Sequence, residues 1–231
     1  MQYEIVHPGS NAMVVVRLEH NEFVKCNSGA MVGMSHNIVI EAKADGGIGK
    51  ALKRSILGGE GFFFETLRAQ DGPGEVMVSP AIPGDIKVLD MTQGQDYYLQ
   101  AGTFLAALGE ISIDTRMQKL AQGFLGGEGL FVLHATGRGN LIASAFGGVY
   151  EINIPAGRDY IIDNGHLVAW SGNTSYTIEK AAKGWINTFT SGEGFVCRFK
   201  GPGKVWIQTR NPHEFGEWVR QFMPAAPARS E

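Results

Sequence analysis

The sequence predicts an all-β fold built from three tandem repeats, followed by one C-terminal helix. A five-residue phrase occurs three times, as Gly58-Gly59-Glu60-Gly61-Phe62, Gly126-Gly127-Glu128-Gly129-Leu130 and Ser191-Gly192-Glu193-Gly194-Phe195. The chain also holds 32 glycines set among runs of Val, Ile, Phe and Tyr, which is typical of short strands joined by tight turns. Because an internal repeat determines the architecture of the whole chain, it is interpreted before any local motif.

Each repeat is predicted to open with three short strands. The first ends at a glycine suited to a positive φ, the second is apolar, and the third alternates between apolar and polar residues. In chain order these strands are Phe23–Gly29, Ala30–Met34 and Ile38–Glu41; Tyr97–Gly102, Thr103–Leu108 and Ile111–Asp114; Tyr160–Gly165, His166–Trp170 and Tyr176–Glu179.

A linker and a hairpin are predicted to complete each repeat. The apolar spacing in Ile48–Ile56 and Met117–Phe124 suits one or two helical turns. After the repeated phrase comes a Gly-x-Gly step, and glycines on both sides of one residue favour a tight turn. The predicted hairpins pair Phe62–Leu67 with Glu75–Val78, Leu130–His134 with Leu141–Ala143, and Phe195–Phe199 with Val205–Ile207.

The predicted architecture is one compact body over residues 1–223, with repeats at about 1–91, 92–157 and 158–212. Each repeat has enough strands for a small jelly-roll-like sandwich. A pseudo-threefold arrangement would pair equivalent edges and hide them from aggregation. Residues 224–231 are predicted to form a flexible tail.

An amphipathic helix is predicted over residues 213–223, after the helix-starting pair Asn211-Pro212. One face of it carries Phe215, Trp218, Val219 and Phe222. We expect that face to pack across the sheets, and a contact with a partner or a membrane is the alternative.

Charge and cysteine content restrict the function classes. The net charge is −3 and no basic stripe is present, which argues against DNA binding and disfavours RNA. Cys26 and Cys197 lie far apart in apolar stretches, so we expect buried, reduced thiols and a cytoplasmic protein. We expect no secretory signal and no membrane span, because neither a basic region followed by a long apolar run nor about 18 consecutive apolar residues occurs.

The repeated Gly-Glu-Gly phrase with its Gly-Pro-Gly, Gly-Arg-Gly and Gly-Pro-Gly partners resembles a known family over about residues 1–223. The family comprises bacterial relatives of the altered-inheritance-of-mitochondria proteins of mitochondrial biogenesis. The resemblance implies a fold like that of the tryptophan-responsive RNA-binding attenuation protein, a short double-stranded β-helix, tripled within one chain. It supplies no catalytic residues. The chain lacks the basic, Ser-rich transit segment of the mitochondrial members, so a mitochondrial role is not implied.

Equivalent glutamates are the most interesting candidate site. Around a pseudo-threefold axis, Glu60, Glu128 and Glu193 could converge and hold a hard cation such as Ca²⁺ or Mg²⁺. The competing interpretation, which we favour, is structural: each carboxylate accepts hydrogen bonds from its own loop. The flanking glycines are predicted to form structural turns; they are Gly59, Gly61, Gly127, Gly129, Gly192 and Gly194.

Other chemistry is poorly represented. The six histidines form no His-x-His pair, so a metal site that joins His134 and His166 is disfavoured. No nucleophile elbow, phosphate loop or dinucleotide fingerprint occurs. We therefore predict no catalytic residue and no cofactor, and a non-enzymatic structural or interaction protein that acts as a homo-oligomer or with a protein partner. The alternatives are a regulator that binds a small molecule or RNA, and a metal-dependent cupin-like enzyme.

Overall fold

The computed structural model describes residues 1–41, 64–118, 130–180 and 195–224, and most of these residues lie in β-strands. In chain order the strands are β1 Gln2–Val6, β2 Met13–Leu18, β3 Phe23–Asn27, β4 Met31–Met34, β5 Ile38–Glu41, β6 Phe64–Ala69, β7 Gly74–Val78, β8 Ile86–Asp90, β9 Tyr97–Gln100, β10 Phe104–Gln118, β11 Leu130–Ser144, β12 Val149–Ile154, β13 Asp159–Asp163, β14 Leu167–Ser171, β15 Ser175–Lys180, β16 Phe195–Lys200 and β17 Gly203–Gln208. A 3₁₀ turn, Asn164–His166, precedes β14, and helix α1 spans Pro212–Arg220. The predicted all-β class with a C-terminal helix is confirmed.

The strands that were predicted to open each repeat are present. Seven of the nine occur as separate strands, while Thr103–Leu108 and Ile111–Asp114 are joined in β10. β10 also continues through residues 117 and 118, where the sequence predicts a helical turn, so that part of the prediction is wrong. The Ile48–Ile56 linker lies outside the described residues. Four further strands, β1, β2, β8 and β12, were not predicted.

The same pairing scheme occurs in three successive groups of strands. In the first group β7 lies between β2 and β4, while β6 lies between β3 and β5. In the last group β17 lies between β12 and β14, while β16 lies between β13 and β15. In the middle group the long strands β10 and β11, which pair with each other, each take the positions of two separate strands in the other groups. The C-terminal part of β11 pairs with β8, and its N-terminal part pairs with β9.

The three predicted hairpins are wrong. β6 and β7 do not pair with each other, and neither do β16 and β17, because in both cases the two strands belong to different sheets. In the middle group β11 runs without a turn through Gly137-Arg138-Gly139. In the first and last groups the Gly-x-Gly step therefore carries the chain from one sheet to another. The physical reason is that glycine permits both a tight turn and a sharp change of strand direction.

Glycines allow β10 and β11 to pair closely along the Gly-x-Gly step of the middle group. Gly109 lies opposite Gly139, and Ile111 lies opposite Gly137. All three of these glycines have positive φ, of +103°, +146° and +116° in the order Gly109, Gly139 and Gly137. A Cβ on Gly137 would collide with the carbonyl oxygen of Glu110, and one on Gly139 with that of Leu108. Larger residues would therefore force the two strands apart.

Adjacent groups are joined by strand pairing at two seams. At the first seam β3 pairs with β10, and at the second seam β9 pairs with β14. β8 lies before the predicted repeat boundary at residue 91 but pairs with β11, and β12 lies before the boundary at residue 157 but pairs with β17. The pseudo-threefold arrangement and the repeat boundaries remain predictions.

Three hydrophobic cores lie along the described part of the chain, and each includes residues of a neighbouring group. The first core consists mainly of residues 12–86 and includes Leu105 and Ala106 of β10. The second consists mainly of residues 89–145 and includes Val168 and Ala169 of β14. The third contains Trp170 and Phe199. Seam residues therefore complete the core of the preceding group.

Helix α1 begins at Pro212, one residue before the predicted start, and ends at Arg220, three residues before the predicted end. Asn211 is its N-cap, because its Oδ1 accepts a 3.0 Å hydrogen bond from the backbone N–H of His213. None of the helix residues is buried. The expectation that its apolar face packs across the sheets is therefore wrong. Phe215 contacts Phe146 of the β body, with ring centroids 5.1 Å apart. Of the predicted tail, residues 225–231 lie outside the described residues.

Candidate interaction surface

The predicted glutamate array cannot be placed. Glu60, Glu128 and Glu193 lie outside the described residues, as do the structural-turn glycines Gly59, Gly61, Gly127, Gly129, Gly192 and Gly194. The structure therefore tests neither the cation site nor the structural interpretation. In the described ranges, no group of three or more His, Cys, Asp or Glu side chains is arranged to hold a metal ion.

His134 on β11 and His166 in the 3₁₀ turn have separate local partners. His134 Nε2 lies 2.7 Å from Oδ2 of Asp96, and His166 Nδ1 lies 2.8 Å from the backbone oxygen of Gln208. His134 is buried, and its ring stacks on Tyr98 with centroids 4.4 Å apart. These contacts give each imidazole its own partner, and no group of metal-ligating side chains among the described residues joins the two rings.

Both cysteines are free and buried. Burial raises the pKa of the Cys26 thiol to about 12, and the charge of Glu65 adds to that effect. Burial likewise raises the pKa of Cys197 to about 12, with a smaller effect from Asp163. Because the thiolate is the reactive form, neither side chain is suited to nucleophilic or redox chemistry.

A charged cluster bridges the middle and last groups. Glu151 on β12 accepts hydrogen bonds from Lys204 Nζ at 3.0 Å, Trp206 Nε1 at 2.9 Å and Lys87 Nζ at 3.3 Å. The hydrogen bond from Lys204 is the main reason that the pKa of Glu151 falls to about 2, with Trp206 and Lys87 adding to it. A carboxylate held in this way stays ionised, so its role is to tie β8 to β12 and β17.

An aromatic column fills the core beside the second seam. Tyr98 stacks on Trp170, with centroids 5.7 Å apart, and Trp170 makes edge contacts with Tyr176 and Phe199 at 4.9 Å and 5.6 Å. Three buried polar atoms of this region have no hydrogen-bond partner among the described residues: Trp170 Nε1, the Tyr176 hydroxyl and His134 Nδ1. A buried polar atom without a hydrogen bond costs free energy of folding, so these three atoms of the aromatic column call for a physical explanation.

Helix α1 and the turn that follows it expose a continuous aromatic ladder. Phe215 stacks on Trp218 with centroids 5.9 Å apart, and Trp218 meets Phe222 edge-on at 5.0 Å. Trp218 is 55% exposed and Phe222 is 71% exposed. A contiguous exposed apolar surface of this kind is characteristic of interaction sites. The sequence periodicity identifies these residues, but it does not reveal that the β body leaves them uncovered.

A second exposed apolar surface lies on β4, where Val32 and Met34 point into solvent. The sequence analysis missed it, because Ala30–Met34 reads as an apolar strand like its equivalents in the other repeats. No helix among the described residues has both the length and the apolar character that a membrane crossing requires.

Comparisons with known proteins agree with the all-β architecture. A family model described as Mitochondrial biogenesis AIM24 matches residues 3–210. The chain is similar to an uncharacterised protein of Streptococcus pyogenes serotype M6, at 33% identity over 233 residues that cover 98% of this chain and 92% of that protein. It is also similar to a protein from Streptococcus pyogenes solved by X-ray crystallography, with a TM-score of 0.79, 31% identity, and coverage of 96% of this chain and 99% of that one.

Proposed function

The chain belongs to the Mitochondrial biogenesis AIM24 family, and from that premise we propose that it is a non-enzymatic structural and interaction protein. In this proposal the three groups of strands are copies of one short double-stranded β-helix unit, similar to that of the tryptophan-responsive RNA-binding attenuation protein. The units form a rigid β body that presents apolar surfaces to a protein partner or to an assembly. Two free, buried cysteines support a place in the reducing cytoplasm.

The observation that supports this function best is the exposed aromatic ladder of α1. Soluble proteins rarely leave three contacting aromatic side chains exposed to water unless the surface serves binding. Trp and Tyr are also the side chains that contribute most at protein interfaces. The ladder stands on a capped helix next to the β body, so it is presented in a defined position.

Partner capture tests this function. We compare the wild-type chain with Trp218→Ser/Phe222→Ser as baits in an extract of the source cells. The control is Tyr150→Ser, which removes an exposed aromatic side chain from β12. We expect a stoichiometric partner protein to be retained by the wild type and the control and lost from the double variant. If the purified partner binds the double variant as tightly as the wild type, this use of the ladder is rejected.

A small-molecule-binding regulator is the second candidate, and the unsatisfied polar atoms of the aromatic column favour it. A ligand that offers both hydrogen-bonding groups and an aromatic face would satisfy Trp170 Nε1 and the Tyr176 hydroxyl. Native mass spectrometry of the isolated protein tests this candidate. A constant extra mass in stoichiometric amount would support it, and the bare chain mass would argue against it. Elemental analysis in the same preparation tests the metal-enzyme alternative.

A further inference from the structure

The two seams within the chain have the same register. At the first seam Ala106 pairs with Cys26, Ala107 with Lys25 and Leu108 with Val24. At the second seam Ala169 pairs with Leu99, Trp170 with Tyr98 and Ser171 with Tyr97. Cys26 and Leu99 each directly precede the residue whose carbonyl accepts the turn hydrogen bond, Asn27 and Gln100. The seam is therefore one interface used twice.

A β-bulge marks the strand that receives the neighbour at each seam. The bulge falls between Phe104 and Ala106 in β10 and between Leu167 and Ala169 in β14. β4 has the same irregularity, between Met31 and Gly33. Bulges reorient side chains and are kept at defined positions. β4 therefore has the shape of a strand that receives a neighbour, although β7 is its one strand partner among the described residues.

The bulge residue is buried in β10 and β14 but exposed in β4. Leu105 of β10 is 2% exposed and Val168 of β14 is 0% exposed, because each lies in the core of the preceding group. Val32 occupies the same position in β4 and is 59% exposed. The three residues are equally apolar, so the difference lies in the missing neighbour.

The complementary edge is also free of a strand partner. β3 and β9 each pair on both sides, once within their own group and once across a seam. Their counterpart in the last group, β13, pairs with β16 and forms the edge of its sheet in the described part of the chain. Tyr160 on β13 is 47% exposed. The chain thus has both halves of a third seam, one at each end, and they are not paired with each other.

We propose that these edges join separate copies of the chain: β4 of one copy receives β13 of a second copy, with the antiparallel pairing of the two internal seams. The inference rests on the proposed function in an assembly and names the partner as the chain itself. Val32 then enters the core of the last group of the second copy, as Leu105 and Val168 do within the chain. Because the two edges differ, the contact is head-to-tail and yields a closed ring or a filament.

A second copy is the occupant that the geometry favours. The first two seams show that an edge like β13 fits an edge like β4 in this sequence context, at a defined register. An unprotected apolar edge is otherwise a liability that proteins cover or charge. β4 has no charged residue between Met31 and Met34, so it has no such protection.

Solution mass tests the proposal. Val32→Lys places a charge in the proposed seam, and Val39→Lys, on exposed β5, is the matched control. Light scattering over a wide range of concentration is expected to give a multiple of the 25.0 kDa chain mass for the wild type and the control. Val32→Lys is expected to give the single-chain mass, and it should still unfold in one cooperative thermal transition, at a melting temperature that no longer depends on protein concentration. A wild type of single-chain mass at every concentration would overturn the proposal. Pairing of β4 with β13 inside one chain would give that same mass, and it would overturn the proposal too.

Mixing two variants tests the head-to-tail geometry. Val32→Lys blocks β4 and leaves β13 intact, whereas Tyr160→Lys blocks β13 and leaves β4 intact. Each variant alone is expected to be a single chain, and an equimolar mixture is expected to form a two-chain complex through the remaining intact seam. A mixture that stays at the single-chain mass overturns the inference. If the chains remain single but still bind a protein through α1, the proposed function stands and this inference fails.

Discussion

The buried indole of Trp206 donates, through Nε1, a 2.9 Å hydrogen bond to Oε2 of Glu151. The same carboxylate pairs with Lys87 on β8 and with Lys204 on β17. One acidic side chain thus connects a strand of the middle group with two strands of the last group. Its stabilising effect depends on ionisation, which gives the first prediction.

Glu151→Gln is expected to destabilise the protein at neutral pH by about 1–2 kcal/mol, after allowing for partial solvent screening. The pKa of Glu151 is about 2 in the folded chain, below its ordinary value of 4.5. Because its pKa is lowered on folding, the ionised Glu151 carboxylate stabilises the fold fully above about pH 4.5, and this contribution is lost as the pH falls from 4.5 towards 2. Urea unfolding should therefore show a difference in the free energy of unfolding between the wild type and Glu151→Gln near neutral pH, and this difference should shrink at about pH 3. The exposed Glu110→Gln is the control, and a pH-independent difference would contradict the assignment.

The two tryptophans at opposite extremes of burial give the second prediction. Trp170 is 1% exposed and contacts Tyr98, Tyr176 and Phe199, whereas Trp218 stands in solvent on α1. Trp170→Ala is expected to cost about 3–5 kcal/mol because it leaves a cavity. Trp218→Ala is expected to change stability by less than about 0.5 kcal/mol in the isolated chain. Equal urea midpoints for the two variants would show that the column is not a core element.

Local sequence signals predicted the class of the fold and most strand positions, but not which strands pair. The alternation in Ile38–Glu41 and Tyr176–Glu179 is visible in any short window, and β5 and β15 are found there. The Gly-x-Gly steps were misread because glycine serves a tight turn and a crossing between sheets equally well. Only long-range pairing, such as β6 with β3, decides between the two.

The unpredicted strands had a detectable signal. The Met13-Val14-Val15-Val16 run and the alternation of Val149–Ile154 are both typical of strands. The candidate surface is different, because Val32, Leu105 and Val168 are all apolar residues in equivalent apolar strands. Their different exposure depends on whether a neighbouring group is present, and no local pattern contains that information. The glutamate array remains a prediction, since it lies outside the described residues.

Thiol reactivity gives the third prediction. Cys26 and Cys197 are buried with raised pKa values, so their thiolate population in the folded chain is very small. We expect Ellman's reagent to modify neither thiol in the native protein and both thiols in urea. Met223→Cys places a thiol at an exposed position near α1 and is expected to add one fast-reacting group, which confirms that the reagent works. Rapid modification of the native wild type would show that one of the cores opens readily.

Glycines that differ in backbone angle and in surroundings give the last prediction. Gly137 combines a φ of +116° with a Cβ position blocked by the carbonyl oxygen of Glu110, so Gly137→Ala is expected to cost about 2–5 kcal/mol. Gly157 has a φ of +74° with nothing within 4 Å of the added Cβ. Gly157→Ala should therefore cost only about 1 kcal/mol of backbone strain. Gly216 lies in α1 without a positive φ or a near neighbour, so Gly216→Ala is expected to stabilise the helix by up to about 1 kcal/mol. Urea midpoints that follow this order would separate the collision between β10 and β11 from backbone strain alone. If Gly137→Ala were as mild as Gly157→Ala, the two long strands would have to separate at little cost, and the close crossing could not be what keeps them paired.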